Sequence, residues 1–134
     1  MNGYVLDASA LLALLQKKPG AAKVNELLKD AIRKRSQIFM SAVNHGEVYG
    51  AILREYGQGR ARATMSAVNP LPIEIEDVTS PRAFHAAEVK ALHKLYYVDS
   101  FAAALALEHK ATLVTSDSDF RRLKHGFPIV WLKN

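Results

Sequence analysis

The stretch Tyr4-Val5-Leu6-Asp7-Ala8-Ser9-Ala10-Leu11-Leu12-Ala13-Leu14-Leu15 sets the reading of the whole chain. Tyr4 to Leu6 is a short apolar run suited to a buried strand, and Ala8 to Gln16 is rich in helix-forming Ala and Leu. The single acid between them, Asp7, marks the junction. The same alternation continues outward. Pro19-Gly20 punctuates, and Ala21 to Lys34 reads as a second helix with Val24, Leu27, Leu28 and Ile32 on one stripe. Gln37 to Met40 is a second strand, and Ser41 caps a third helix running to about Tyr56, where Gly57 and Gly59 interrupt. Arg60 to Val68 is a further helix and Leu71 to Ile75 a third strand. Ser80-Pro81 opens a helix through His93, with proline in its favoured first-turn position. Asp99 begins an alanine-rich helix to about Lys110, Thr112 to Val114 is a strand, and Pro128 to Leu132 is the last. Strands separated by helices predict an α/β fold, a three-layer α/β/α sandwich with a central parallel sheet.

Composition bounds what such a fold can be doing. The chain has 134 residues, 49% of them hydrophobic, enough for a single domain spanning 1–134 with its own core. It has no cysteine, which excludes disulfides, thiolate metal sites and a cysteine nucleophile, and fits a reducing compartment. The N-terminal residues lack the basic-then-apolar order of a secretory signal. The longest apolar stretch, Ala8 to Leu15, is too short to span a bilayer. The expectation is a soluble cytoplasmic protein with no membrane partner. Eighteen Lys+Arg stand against 13 Asp+Glu, giving a formal net charge of +5. Basic clusters occur at Lys17-Lys18, Arg33-Lys34-Arg35, Arg60 with Arg62, and Arg121-Arg122 with Lys124. Such clusters are often solvated helix faces, but together they suit a polyanionic partner such as nucleic acid.

Parallel α/β folds bind ligands at the carboxyl ends of their strands. That rule points to Asp7, after the first strand, and Asp117, after Thr112 to Thr115. Glu47 and Asp99 are the other acids that stand out, with Asp119 beside Asp117. Each has a structural explanation, since aspartate before a helix is a favoured N-cap and Glu47 could be a surface residue. Jointly they suit another chemistry. Hard divalent cations take carboxylate oxygens, and several acids around such ions can activate water for attack on a phosphodiester.

Four segments carry a family resemblance: Asp7-Ala-Ser-Ala-Leu, Ser41-Ala-Val-Asn-His-Gly-Glu47, Asp99-Ser-Phe-Ala-Ala-Ala-Leu-Ala and Thr115-Ser-Asp-Ser-Asp-Phe120. Their order and spacing resemble the acidic motifs of PIN-domain nucleases, and within that group the VapC toxins. The resemblance covers essentially the whole chain. It implies Asp7, Glu47, Asp99 and Asp117 as the catalytic, metal-binding acids, with Asp119 an auxiliary acid and Ser9 and Thr115 as supporting polar groups. It further implies Mg²⁺ or Mn²⁺ dependence, RNA cleavage, a homodimer, and a role as the toxin of a type II toxin–antitoxin system inhibited by a VapB-type antitoxin. One departure is local: Tyr96-Tyr97-Val98 replaces the glycine and small polar residue that precede the third acid in many relatives. For the antitoxin, the early helices offer Leu11, Leu12, Leu14, Leu15, Leu27, Leu28 and Ile32, which either form a docking groove or are buried in the core.

Other readings fit less of the chain. Asp117-Ser-Asp119 resembles the aspartyl-phosphate motif of haloacid-dehalogenase phosphatases, but that motif follows a first strand and only 15 residues follow Asp119. A phospho-acceptor receiver domain would want paired acids after the first strand, where only Asp7 stands, although Glu76-Asp77 could supply its acceptor. The five histidines (45, 85, 93, 109 and 125) show no HExxH or tight pair for zinc. Ser9 and Ser100 lack a nucleophile elbow. A non-catalytic nucleic-acid-binding module would use the basic clusters but gives no reason for acids at two strand ends.

Overall fold

The computed structural model describes residues 2–134. Strands β1 (Asn2–Leu6), β2 (Ser36–Ser41), β3 (Glu74–Glu76), β4 (Thr112–Thr115) and β5 (Ile129–Trp131) form one sheet in the order β3-β2-β1-β4-β5. Every pairing is parallel, with Val5 opposite both Phe39 and Leu113. Six helices connect them: α1 (Ala8–Leu15), α2 (Ala21–Ile32), α3 (Ala42–Tyr56), α4 (Gln58–Val68), α5 (Ser80–His93) and α6 (Tyr97–His109). None is long and apolar enough to cross a membrane.

Successive residues of a strand point to opposite faces, so a strand covered on both sides must be apolar at every position. The central strands satisfy this. Val5, Phe39 and Leu113 pack with Ala86 and Val89 of α5 and the alanines of α6. Their neighbours Leu6, Ile38 and Val114 pack against α1 and α2. Met40 joins Leu11 to Val48 and Ile52 of α3 and Ala61 and Val68 of α4. The three-layer sandwich is thus built by alternation along β1, β2 and β4. The run Ala102-Ala103-Ala104 is buried in α6 because small side chains let that helix lie close against the sheet.

The topology positions the site. From β1 the chain builds outward through β2 to β3, then returns to place β4 on the other side of β1. The strand order therefore reverses between β1 and β4, and the crevice outside their carboxyl ends is where such sheets bind ligands. Asp7 and Asp117 leave the sheet there.

Several boundaries differ from the sequence reading. The third strand is Glu74–Glu76 rather than Leu71 to Ile75, because Leu71 and Ile73 are held in a tight turn, Leu71 N donating to Val68 O at 2.9 Å. The last long helix begins at Tyr97, so Asp99 lies inside its first turn instead of capping it. A 3-10 turn over Ser118–Arg122, too short for a periodic signal, follows β4. The early-helix leucines divide: Leu11, Leu27 and Leu28 are buried, Leu12, Leu14 and Leu15 half-buried, and Ile32 is exposed. Most of that set serves the core, so it does not form one continuous groove.

Candidate metal centre

Asp7 ends β1 and caps α1, its Oδ1 accepting from Ala10 N at 2.9 Å. The same oxygen accepts from the Ser9 hydroxyl at 2.7 Å, while Oδ2 accepts from the Thr115 hydroxyl. Thr115 in turn accepts from Asp117 N at 2.9 Å, and Ser9 Oγ accepts from Ser116 N at 3.0 Å. Ser9 and Thr115 thereby stitch the ends of β1 and β4 together around one buried carboxylate. Burial is the main cause that pushes the Asp7 carboxyl up to about 6; its hydrogen bonds from Thr115, Ser9 and Ala10 oppose the rise.

Asp117 caps the 3-10 turn, accepting from Asp119 N at 2.9 Å, and this short turn aims Asp119 back at the same pocket. Asp99 comes from the first turn of α6. One carboxylate oxygen from each of Asp99, Asp117 and Asp119 lies within 4.8 Å of the others. Desolvation, followed by the charges of Asp117, Glu47, Asp7 and Asp119, pushes the Asp99 carboxyl up to about 7. All five acids singled out in the sequence therefore meet in one electrostatic neighbourhood. The tightest group takes in Asp119, the auxiliary acid of the sequence reading. Asp7 and Glu47 lie outside it.

Glu47 is exposed on α3, and its Oε1 accepts from Asn44 Nδ2 at 2.9 Å. Asn44 escaped the sequence reading. It is 1% exposed, and its amide also donates to Val98 O at 3.2 Å, tying α3 to the start of α6 immediately before Asp99. The signal available was a polar residue one turn before Glu47 on the same helix face. Asn44→Ala removes both bonds and unties α3 from the start of α6. We expect a loss of about 1–3 kcal/mol in unfolding free energy, read by urea denaturation.

The donor set suits a hard divalent cation. Ligands near 2.1 Å from one Mg²⁺ stand no more than about 4.2 Å apart, a separation the Asp99, Asp117 and Asp119 oxygens reach with small side-chain adjustments. Desolvation and the surrounding acids are what raise the Asp99 carboxyl, as expected of clustered carboxylates without a counter-charge. Among the described residues no histidine joins this group. His109 instead pairs with Glu76 at 2.8 Å and stacks on Phe39. Arg82 binds Glu108 through two nitrogens and approaches Glu76 at 3.6 Å. Glu76 is thus committed to structural pairs.

A parallel α/β/α sandwich with clustered acids at the reversal point of its sheet defines a class of acidic-pocket α/β proteins. The chain belongs, within that class, to the PIN domain family, whose model matches residues 4–126. PIN domains are generally nucleases. No curated protein sequence matches significantly. Among solved structures, the fold is similar to VapBC2 from Rickettsia felis bound to a DNA fragment from its promoter, with TM-score 0.77 and 19% identity, covering 98% of this chain and 99% of that one. It is similar to DNA-bound VapBC from Salmonella typhimurium, with TM-score 0.75 and 18% identity over 97% and 98% of the two chains. A third is VapC20 of Mycobacterium tuberculosis, a sarcin–ricin loop cleaving toxin, with TM-score 0.72 and 21% identity over 92% and 95%.

Proposed function

We propose that this chain is a Mg²⁺- or Mn²⁺-dependent endoribonuclease and the toxin component of a type II toxin–antitoxin system. The observation that carries the reading is the convergence of Asp99, Asp117 and Asp119 on one point, with Asp7 and Glu47 beside them. Membership of the PIN family and likeness to toxin chains of VapBC complexes support it. The M. tuberculosis relative, which cleaves an RNA loop, supports RNA as the substrate.

A divalent cation in this pocket would supply charge compensation for the phosphodiester and polarise the attacking water. Asp99, Asp117 and Asp119 are the residues that would hold it. Asp7, fixed by Ser9, Ala10 and Thr115, forms the rigid rear wall and adds negative charge that strengthens cation binding. Glu47, exposed and anchored by Asn44, stands at the mouth, where it can orient water and accept its proton. The chain acts as a single PIN-like domain over residues 1–134, in the cytoplasm, as a homodimer, and is silenced by a VapB-type antitoxin. An antitoxin arginine can pair with two of these carboxylates and take the cation's place.

Expression of the chain alone should arrest growth of a bacterial host, and co-expression of a cognate antitoxin from a neighbouring reading frame should restore it. Harmless expression, together with a purified protein that stays fully active beside that antitoxin, would refute the toxin–antitoxin part of the proposal.

A further inference from the structure

The connection from α5 to α6 displays two aromatic side chains just before Asp99: Tyr96 is 63% exposed and Tyr97 43%. The Arg122 guanidinium lies 5.8 Å from the Tyr96 ring centre, and its Nη1 donates to Lys94 O at 3.1 Å. Arg122 so fastens the end of the 3-10 turn to this connection. Two open clefts, of about 440 and 660 Å³, meet at Lys94 and Arg122. Their walls carry Lys90, Lys94, Arg122 and Lys124 with Tyr96 and Tyr97, and among the described residues no carboxylate lines either one.

This basic surface adjoins the acidic pocket. Side chains three apart in a 3-10 turn eclipse one another, so Arg122 stands one turn along from Asp119 on the same face. Tyr96 is the N-cap of α6, three residues and one helical turn before Asp99. The cation–aromatic surface therefore begins where the carboxylate cluster ends.

The pairing of chemistries is selective. Lysines alone would accept any polyanion, but exposed rings beside them match a strand whose bases are free to stack. A duplex keeps its bases stacked on one another and offers the tyrosines no face. Resting on the ribonuclease reading above, we infer that this cleft is the track for single-stranded RNA flanking the cleaved phosphodiester. Tyr96 stacks a base, and Lys90, Lys94 and Lys124 neutralise phosphates. Arg122 holds the Tyr96 ring from one side and leaves its remaining surface to the RNA.

The test is fluorescence anisotropy of a labelled oligouridylate in EDTA, where binding is read without metal-dependent cleavage. Tyr96→Ala should weaken binding about 10-fold, within the range for loss of one base–aromatic stack, and Tyr96→Phe should retain it. Lys90→Glu combined with Lys124→Glu should weaken binding and flatten the salt dependence by about 1.4 in log–log slope, from two phosphate contacts. Lys29→Glu, on the opposite face of the sheet in α2, should behave as wild type. Thermal melts by circular dichroism establish that each variant is folded. Cleft variants that bind within about twofold of wild type would overturn the inference. So would an oligoglutamate peptide that competes as well as RNA and loses affinity in the same variants, since the cleft would then serve an acidic protein segment. If the wild type fails to cleave RNA with Mn²⁺ while the cleft variants still lose binding, the nuclease reading falls and the cleft stands. Unchanged binding in variants of an active enzyme sinks the cleft alone.

Discussion

Asp7→Asn is expected to lower divalent-dependent RNA cleavage by at least about 100-fold while leaving the thermal midpoint unchanged or raised. The substitution separates two roles that coincide at this residue. As an N-cap, Asn is nearly equivalent to Asp, and its Oδ1 can still accept from Ala10 N and the Ser9 hydroxyl. On the other side, Asn Nδ2 can donate to Thr115 Oγ1, whose hydroxyl then turns toward Ser9, already 3.2 Å away. Only the charge disappears. Removing it relieves a buried carboxylate whose pKa has been pushed up to about 6, so stability does not suffer. If cleavage stays at the wild-type rate, Asp7 is a capping residue and nothing more.

The second large effect is a dependence of stability on pH that a divalent cation reverses. Asp7 and Asp99 are raised from 3.8 to about 6 and about 7, so between pH 4 and 7 the folded chain binds more protons than the unfolded one. Stability then falls as pH rises through that window and levels off above it. A shift of about two units at buried Asp7 corresponds to about 3 kcal/mol. Half-exposed Asp99 adds less than its shift suggests, because solvent screens it. The metal-free protein should therefore melt several degrees lower at pH 8 than at pH 5. Mn²⁺ at about 100 times its dissociation constant should return about 2.7 kcal/mol at pH 8 and little at pH 5, where Asp7 and Asp99 are largely protonated. Differential scanning fluorimetry across pH, with and without Mn²⁺, reads both limbs. A flat profile, or equal metal stabilisation at both pH values, would show that these acids are not coupled as described.

Much of this arrangement is legible in the residues. Apolar runs such as Tyr4-Val5-Leu6 and Thr112-Leu113-Val114, separated by helical stretches, specify a parallel sheet because both faces of those strands must be covered. The acids after β1 and β4 follow from the same rule, which puts ligand sites at carboxyl ends. What escaped is what periodicity does not encode. The five-residue 3-10 turn that aims Asp119 has no repeat long enough to read, so the place of Asp119 beside Asp99 and Asp117 emerges only on folding. Asn44 acts through contacts to Val98, 54 residues away in sequence, and such a partner is invisible before folding. Leu71-Pro-Ile73 is apolar and reads as strand, but its hydrogen bonds are spent on a turn and pairing with β2 starts only at Glu74. Tyr96 and Tyr97 both emerge exposed, Tyr96 beside Arg122, and no periodicity in that short connection encodes it.

The most direct measurement of the central claim is the rate of RNA cleavage by chelator-stripped protein as Mn²⁺ is added back. Metal-dependent catalysis at this carboxylate cluster predicts no cleavage without the ion, a saturable recovery as it binds, and a flat line throughout for the Asp99→Asn, Asp117→Asn double variant. Cleavage that persists in EDTA, or that the double variant performs at the wild-type rate, would contradict it.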